Sequence, residues 1–302
     1  MNEHYPRVRI FASHGAPILR EGITICFYMR RSHHEVARAV QQSMDAYLRT
    51  VGPHTLAWYT GQDDWQMLDA HSWDSLRHKF LEKPWPCLEL KDDPAGVHGF
   101  GMEYYGKWFE DPRGLQEPDM VSALGFWLPT EFLEAQGPVA VRNLALELAD
   151  PLPFCSGHAG LSFHAVHGYR ETEEKLSQLC LRYPGMDVTL LRTLSWKLGA
   201  RVKGPAWLTF LGQPALGEVR GIDGLRARLF SPSTTVQQLQ EERAIVTLGP
   251  WPKAGDTEAG DHLPAYRELA SVLEPALYRS SEPWSPYFPK DTWQRWERRF
   301  VD

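Results

Sequence analysis

The sequence predicts an α+β fold made of two related strand–helix–strand–helix–strand halves with largely antiparallel sheets, followed by a C-terminal extension. Apolar stretches of strand length, such as GITICFYMR at 22–30, alternate with amphipathic stretches of helical period, such as residues 33–52. The order of these elements recurs in the second half, where Phe126 repeats the place of Phe27. Hydrophobic residues make up 43% of the 302 positions and charged residues 23%, a balance typical of globular proteins.

The first half, residues 1–120, opens with two strands. VRIFAS and GITICFYMR are separated by a Gly- and Pro-containing stretch, HGAPILREG, which predicts a turn. In the helix at 33–52 the apolar side chains share one face, and Gly52 follows the last turn as a cap. The remaining elements are predicted to be a strand, a helix and a hairpin, at 55–60, 73–82 and 87–108.

The second half, residues 121–250, repeats this order, and we expect it to form one compact unit with the first. VSALGFWLP and HAGLSFHAV predict strands, and Pro138 begins the helix between them, because its missing N–H is harmless at the first helical position. An additional helix at 187–199, with Asp187 as its N-cap, breaks the symmetry. The other elements are predicted to be a helix, a strand and a pair of short strands, at 171–183, 204–212 and 236–249.

The extension, residues 251–302, is rich in Pro and Trp. PAYRELASVLEPAL predicts a helix, and a terminal helix capped by Asp291 places Trp293, Trp296 and Phe300 on one side. Three large exposed aromatic side chains favour aggregation, so we expect this stripe to pack on the body of the protein, with contact to a partner as the alternative.

Charge and cysteine content limit the classes of function. A net charge of −6 argues against direct binding of nucleic acid, which needs a basic face, and suits a basic protein partner. The four cysteines are far apart in the sequence and are predicted to be small buried apolar residues. No apolar run approaches the length of a membrane span, and the first residues do not resemble a signal peptide, so we expect a cytoplasmic protein that does not contact a membrane.

The stretch SGHAGLSFHAVHGY (156–169) raises the question of a metal or catalytic site. On a strand His158 and His164 share a face but lie about 20 Å apart, too far to bind one metal ion. We therefore expect these histidines to be half-buried or surface residues. Neither a G-x-S-x-G elbow nor a phosphate-binding loop occurs in the sequence. The sequence predicts no catalytic residue, no metal and no cofactor.

Three stretches, ALGFWLP, GPAWLTFLG and IVTLGPWPKAGDTEAGDHLPAYRELASVLEP, carry a resemblance to a known family. Over about residues 20–280 the chain resembles the type VI secretion immunity proteins (TsiV-like, formerly a domain of unknown function). The matching positions have scaffold roles, in which aromatic side chains pack a core strand, glycines permit tight turns and the aspartate caps a turn. They are Trp207, Phe210, Gly249, Pro252, Gly255 and Asp256.

The resemblance implies a protein that binds and neutralises a cognate effector toxin and is not an enzyme. The predicted contacts are an acidic turn, an acidic helix start and a loop tryptophan, namely Asp63, Asp64, Glu171, Glu173, Glu174 and Trp251. For each of them, ordinary solvated surface is the alternative. Two other classes stay open, an enzyme that uses scattered His, Asp and Glu side chains, and a structural or adaptor protein that self-associates through its aromatic tail. Formation of a homodimer stays open as well.

Overall fold

The computed structural model describes residues 4–13, 15–61, 64–97, 99–240, 242–280, 282–283 and 285–301. Asp63, one of the predicted contacts, lies outside these residues. Among the described helices, none is both long enough and apolar enough to cross a lipid bilayer.

The strands form one sheet in the order β10-β11-β9-β8-β2-β7-β6-β5-β3-β4, with β1 paired to one end of β2. Every pairing between these strands is antiparallel, which confirms the α+β class and the antiparallel sheet. The strands are β1 (Arg9–Phe11), β2 (Pro17–Met29), β3 (Trp58–Thr60), β4 (Trp65–Met67), β5 (Cys87–Lys91), β6 (Gly101–Tyr105), β7 (Ser122–Pro129), β8 (Ser156–Ala165), β9 (Leu208–Leu211), β10 (Thr234–Leu239) and β11 (Arg243–Leu248).

Helices cover the two faces of the sheet unequally. They are α1 (His33–Val51), α2 (Ala70–Glu82), α3 (Pro112–Gln116), α4 (Thr130–Ala149), α5 (Arg170–Arg182), α6 (Leu191–Lys197), α7 (Ala215–Glu218), α8 (Gly221–Arg226), α9 (Pro264–Leu273) and α10 (Lys290–Glu297). Two 3₁₀ turns, Thr257–Ala259 and Glu274–Ala276, flank α9. The two predicted halves interleave only at the centre of the one sheet, where β7 lies between β2 and β6, and the division at residues 120 and 250 stays a prediction.

The central strand β2 begins earlier than the sequence predicts. The stretch HGAPILREG was predicted to be a turn, but its Pro17–Gly22 part belongs to the strand. Pro17 is the first strand residue, a place that needs no N–H donor. The charged pair Arg20–Glu21 is accommodated because Glu21, fully buried, accepts hydrogen bonds from the Val8 backbone at 3.0 Å and from Arg9 at 3.2 Å.

The first face of the sheet carries the main core. The apolar stripe of α1 includes Val36, Val40 and Tyr47, all fully buried, and α1 packs against α4. Helix α4 starts at Thr130, before the predicted Pro138, and is kinked at Gly137, whose φ of 79° interrupts the helix just ahead of the proline. The predicted start therefore marks only the second part of the helix.

The opposite face is covered in its middle by α6 and at its β9–β11 end by α7, α8 and α9. Leu191 of α6 comes so close to β7 that a Cβ atom at Gly125 would lie 2.9 Å from its side chain. Towards the β5–β3–β4 end the side chains of this face reach solvent, as Met67, 66% exposed, shows. Cys87 at this end is also exposed, although it was predicted to be buried.

The C-terminal helix packs on the body, as the sequence predicted. Trp293, Trp296 and Phe300 are each 5% exposed or less, and α10 lies against α5. Asp291 lies in the first turn of α10 and Pro289 holds the N-cap position, so the predicted cap is displaced by two residues. These three aromatic side chains are thus part of the core and are not available to a partner.

Candidate functional site

The histidine-rich strand leads to a closed cluster of buried charges. His158 and His164, on β8, are 4% and 2% exposed, so the prediction of half-buried or surface histidines is wrong for both. The Nε2 atom of His158 lies 3.2 Å from Oδ2 of Asp187, in the segment that follows α5. A strand buried on both faces leaves no solvated side for an imidazole, whatever its place in the alternation.

Asp187 is the centre of this cluster. Its Oδ2 accepts a hydrogen bond from the Thr189 hydroxyl at 2.7 Å and an ion pair from the Lys203 ammonium, and Oδ1 lies 3.9 Å from Nη2 of Arg299. The prediction of Asp187 as a helix N-cap is wrong, because α6 begins only at Leu191 and the carboxylate is occupied by the two cations. We call Asp187, Lys203, Arg299 and His158 the closed cluster.

The Asp187 carboxylate is neutralised from within the chain. Burial acts to raise the pKa of Asp187, but Lys203 and His158 outweigh it and hold that pKa well below its usual range. Burial lowers the pKa of His158, so its imidazole is neutral at neutral pH. The cluster itself lines a cavity of about 230 Å³, together with Trp207 and the C-terminal helix. Among the described residues, no three His, Cys, Asp or Glu side chains are placed to hold a metal ion.

A second charged region lies on the partly uncovered end of the same sheet face. The register pairs Glu89 of β5 with Glu103 of β6, and Lys91 with Gly101, so these side chains share one face. Trp65 of β4 joins them, since the Lys91 ammonium lies 4.0 Å from the centre of its ring. We call Trp65, Glu89, Lys91, Glu103 and Tyr105 the acidic face.

The two carboxylates of the acidic face share one hydroxyl group. The Tyr105 hydroxyl lies 2.7 Å from Oε1 of Glu89 and 3.4 Å from Oε2 of Glu103. Since a phenol has one proton to donate, the shorter contact with Glu89 takes it. The Thr60 hydroxyl lies 3.5 Å from the other oxygen of Glu89. Glu103 is left with the weaker partners.

Glu103 is partly exposed but poorly solvated. Burial, and after it the charge of Glu89, raise its pKa to about 7, although Lys91 and the Trp127 indole act in the opposite direction. Burial also lowers the pKa of Lys91. No Lys or Arg nitrogen of the described residues lies within ion-pair distance of the Glu103 carboxylate.

A groove of about 280 Å³ opens beside Glu103, between the sheet and the segment that leads into α6. Tyr105, Trp127 and His164 line it from the strands, and Arg192 lines it from α6. The sequence does not reveal this site, because GFGMEYYG is predicted only as part of the hairpin at 87–108. A single Glu inside the aromatic strand GMEYY was the available signal.

The predicted partner contacts lie in different environments. Asp64 is exposed in the β3–β4 turn, and its Oδ1 accepts a hydrogen bond from the backbone N–H of Trp65 at 2.7 Å. Glu171 and Glu174 are exposed at the start of α5, where Glu174 pairs with Arg170 at 2.8 Å.

Glu173 has to be removed from the accessible carboxylates. Its side chain is fully buried and lies 3.2 Å from both Nδ1 of His167 and the Gly168 backbone N–H. Glu173 lies on the inner side of the first turn of α5, where its carboxylate is the hydrogen-bond partner of residues that precede the helix. The sequence pattern ETEEK does not reveal this. Trp251 is half-buried, with its ring stacked on His4 at 4.9 Å.

The residues of the predicted scaffold motifs lie around β9 and the loop after β11. The Trp207 indole donates a hydrogen bond to the Gly249 carbonyl at 3.0 Å, and the Phe210 ring packs edge-on against Phe27 at 5.2 Å. Gly249 and Gly255 have φ angles of 88° and 67°, in the left-handed region. Pro252 is buried, and Asp256 accepts hydrogen bonds from Arg182 at 3.0 Å and from the Glu258 backbone at 3.0 Å.

Comparison with known proteins adds a family and a fold. A sequence model of the TsiV family, described as type VI immunity for VRR-NUC, matches residues 39–300. No curated protein matches the chain. A solved structure, the Pseudomonas aeruginosa T6SS protein PA0821, is similar over 97% of this chain and 87% of its own, with a TM-score of 0.79 and 19% identity. At that identity the similarity shows a shared fold.

Proposed function

Because this chain belongs to the TsiV family of type VI immunity proteins, we propose that it binds and neutralises a type VI effector toxin of the VRR-NUC class. The family match over most of the chain is the observation that carries the proposal. A nuclease acts on a polyanion and needs a basic surface for it, which an acidic inhibitor can cover.

The net charge of −6 and the acidic face support this mode of inhibition. Binding to the basic surface of the toxin would block access of the nucleic acid substrate without any chemistry by the inhibitor. We propose that the protein acts as a binder and not as an enzyme, in the cytoplasm, without direct contact with nucleic acid and without a cofactor. Among the predicted contacts that the structure describes, Asp64 adjoins the acidic face through its neighbour Trp65, and Glu171, Glu174 and Trp251 stay predictions.

A protection assay tests the proposal. VRR-NUC-domain effectors from the same genome are expressed one at a time in a sensitive bacterial host, with and without this protein. We expect full recovery of growth with one effector and a stable one-to-one complex between the purified partners. Failure to suppress any VRR-NUC effector, with the protein folded and abundant, would contradict the proposed class of partner.

The enzyme alternative has one structural feature in its favour, the cavity beside the closed cluster. Its acid–base candidates are already engaged, since Asp187 pairs with Lys203 and His158 is neutral through burial. The Asp187→Asn variant distinguishes an enzyme that uses this cluster from a protein that acts by binding. If the protein still folds and protects as well as the wild type, the cluster has no catalytic part in immunity.

A further inference from the structure

We propose that the groove beside Glu103, together with the acidic face, receives an arginine side chain of the toxin. This inference rests on the proposed function, and it names the surface and the chemistry of the partner group. The occupant is a guanidinium that ion-pairs with Glu103 and Glu89, on a basic segment that lies across the β5–β6 end of the sheet.

The geometry leaves this end of the sheet accessible. Helix α6 covers the same face only as far as β6 and β7, and Met67 and Cys87 beyond it are exposed. The groove of about 280 Å³ is lined by Glu103 of β6, Trp127 of β7 and His164 of β8, and by the segment that leads into α6. A side chain that enters from solvent meets the Glu103 carboxylate on the strand side.

Charge complementarity identifies the occupant as a cation. Glu89 and Glu103 are paired across two strands, an arrangement that is unfavourable for like charges. Lys91, whose charge acts on Glu103, is held over the Trp65 ring, and Arg192 lines the groove from α6 without an ion pair to Glu103 among the described residues. One positive group from outside would satisfy both carboxylates, which the described part of the chain does not do for itself.

Arginine fits this site better than lysine or a metal ion. Its planar guanidinium can donate hydrogen bonds to two carboxylates at once. A lysine offers a single point charge that remains strongly hydrated. A metal ion needs further ligands, and the described residues contain no group of three His, Cys, Asp or Glu placed for one.

The protonation of Glu103 gives the proposal a pH signature. Burial raises the pKa of this carboxyl to about 7 in the free protein, so a guanidinium has to displace a proton at lower pH. Ion pairing in the complex lowers that pKa, and binding therefore weakens as the pH falls through 7. The groups that face or line this site from the elements packed on it are Glu89 and Lys91 of β5, Tyr105 of β6, Trp127 of β7, His164 of β8, His167 after β8 and Arg192 of α6.

The test uses the full-length protein and the purified, catalytically inactive VRR-NUC domain whose toxicity it suppresses. We expect Glu103→Gln to weaken the complex at least tenfold at pH 8, because one partner of a buried ion pair is lost. Glu147→Gln is the matched control, since Glu147 is an exposed carboxylate, 51% exposed, on α4 at the other face of the sheet. It is expected to change the affinity less than twofold.

The pH profile excludes a merely structural effect. The wild-type affinity is expected to fall about tenfold from pH 8 to pH 6, as one titrating carboxyl with a pKa near 7 requires. The Glu103→Gln variant is expected to lose this part of the pH dependence, measured against the same toxin.

The outcomes separate the two proposals. If the wild type binds no VRR-NUC domain, the proposed function fails. If the wild type binds and Glu103→Gln binds equally well with the same pH profile, the function stands and the arginine site is overturned. If Glu103→Gln does not fold, Glu89→Gln takes its place, and an unchanged affinity for that variant overturns the site as well.

Discussion

Asp187 and Glu103 are both poorly solvated carboxylates at one face of one sheet, but their pKa values are shifted in opposite directions. Asp187 is surrounded by Lys203 and Arg299, and its pKa lies well below the usual range. Glu103 has a carboxylate as its neighbour, and its pKa rises to about 7. Burial alone therefore does not define the role of an acidic residue. A carboxylate neutralised within the chain stabilises the fold, and one left without a cation is available to a partner.

The largest effect is expected from breaking the closed cluster. Asp187→Ala leaves Lys203 and Arg299 buried without their counter-ion, which costs about 3–5 kcal/mol of folding free energy. Equilibrium unfolding in urea at pH 7 measures this loss, with Glu147→Ala as the exposed control. A loss below about 1 kcal/mol would show that the cluster is far better solvated than its burial indicates.

Removing both members of the main ion pair is expected to cost less than the sum of the single changes. The double variant Asp187→Leu/Lys203→Met leaves no unpaired charge between these two positions, and a coupling energy of about 1–3 kcal/mol follows for residues in direct contact. A double-mutant cycle in the same unfolding assay gives this number. Additive effects would show that the two side chains do not act as a pair.

Glu103→Gln is expected to have the opposite sign and to stabilise the protein. The folded pKa is raised from 4.5 to about 7, so the native state binds the extra proton between these values. The wild type accordingly loses stability as the pH rises from 4.5 to 7, whereas the glutamine variant does not. We expect a gain of about 1–3 kcal/mol at pH 8 that vanishes near pH 4.

A Glu103→Gln variant that is more stable and also binds the toxin more weakly would test the contrast between Glu103 and Asp187 most directly. A residue that lowers stability and raises binding has been retained for function. Thermal unfolding at pH 4 and pH 8 measures the stability of the variant, and the affinity measurement gives its toxin binding. Equal stability of variant and wild type at pH 8 would mean that Glu103 is well solvated.

The smallest effects are expected at the exposed predicted contacts. Asp64→Asn and Glu174→Gln remove solvent-exposed charges, and each is expected to change the unfolding free energy by less than about 0.5 kcal/mol. The same unfolding assay checks this. A larger loss for Glu174→Gln would mean that its pair with Arg170 is part of the fold of α5.

Much of the fold can be predicted from local patterns in the sequence. The stripe of α1, the hairpin of β5 and β6 and the packing of Trp293 and Trp296 follow from periodicity and from the cost of exposed aromatic area. The start of β2 does not, since Glu21 is paired with Arg9 of the neighbouring strand and Arg20 is paired with Glu131, more than 100 residues further along the chain.

Neither charged region could be read from the sequence. Asp187 and Lys203 are separated by a helix, and His158 precedes both by a further helix, so only the fold brings them together. Glu103 was hidden in an aromatic strand, and its neighbour Glu89 belongs to a different segment. Burial of Glu173 likewise depends on how α5 meets the end of β8.

The order of the sheet sets the timing of folding during synthesis. The central strand, at residues 17–29, pairs on one side with 122–129 and on the other with 156–165. At usual ribosome speeds this long central strand waits about 5–20 s for its first long partner to be made. Such distant pairings also slow folding after release. For an immunity protein, the molecules that can neutralise the toxin are therefore those already folded when it arrives, because chains whose synthesis has only started fold too late.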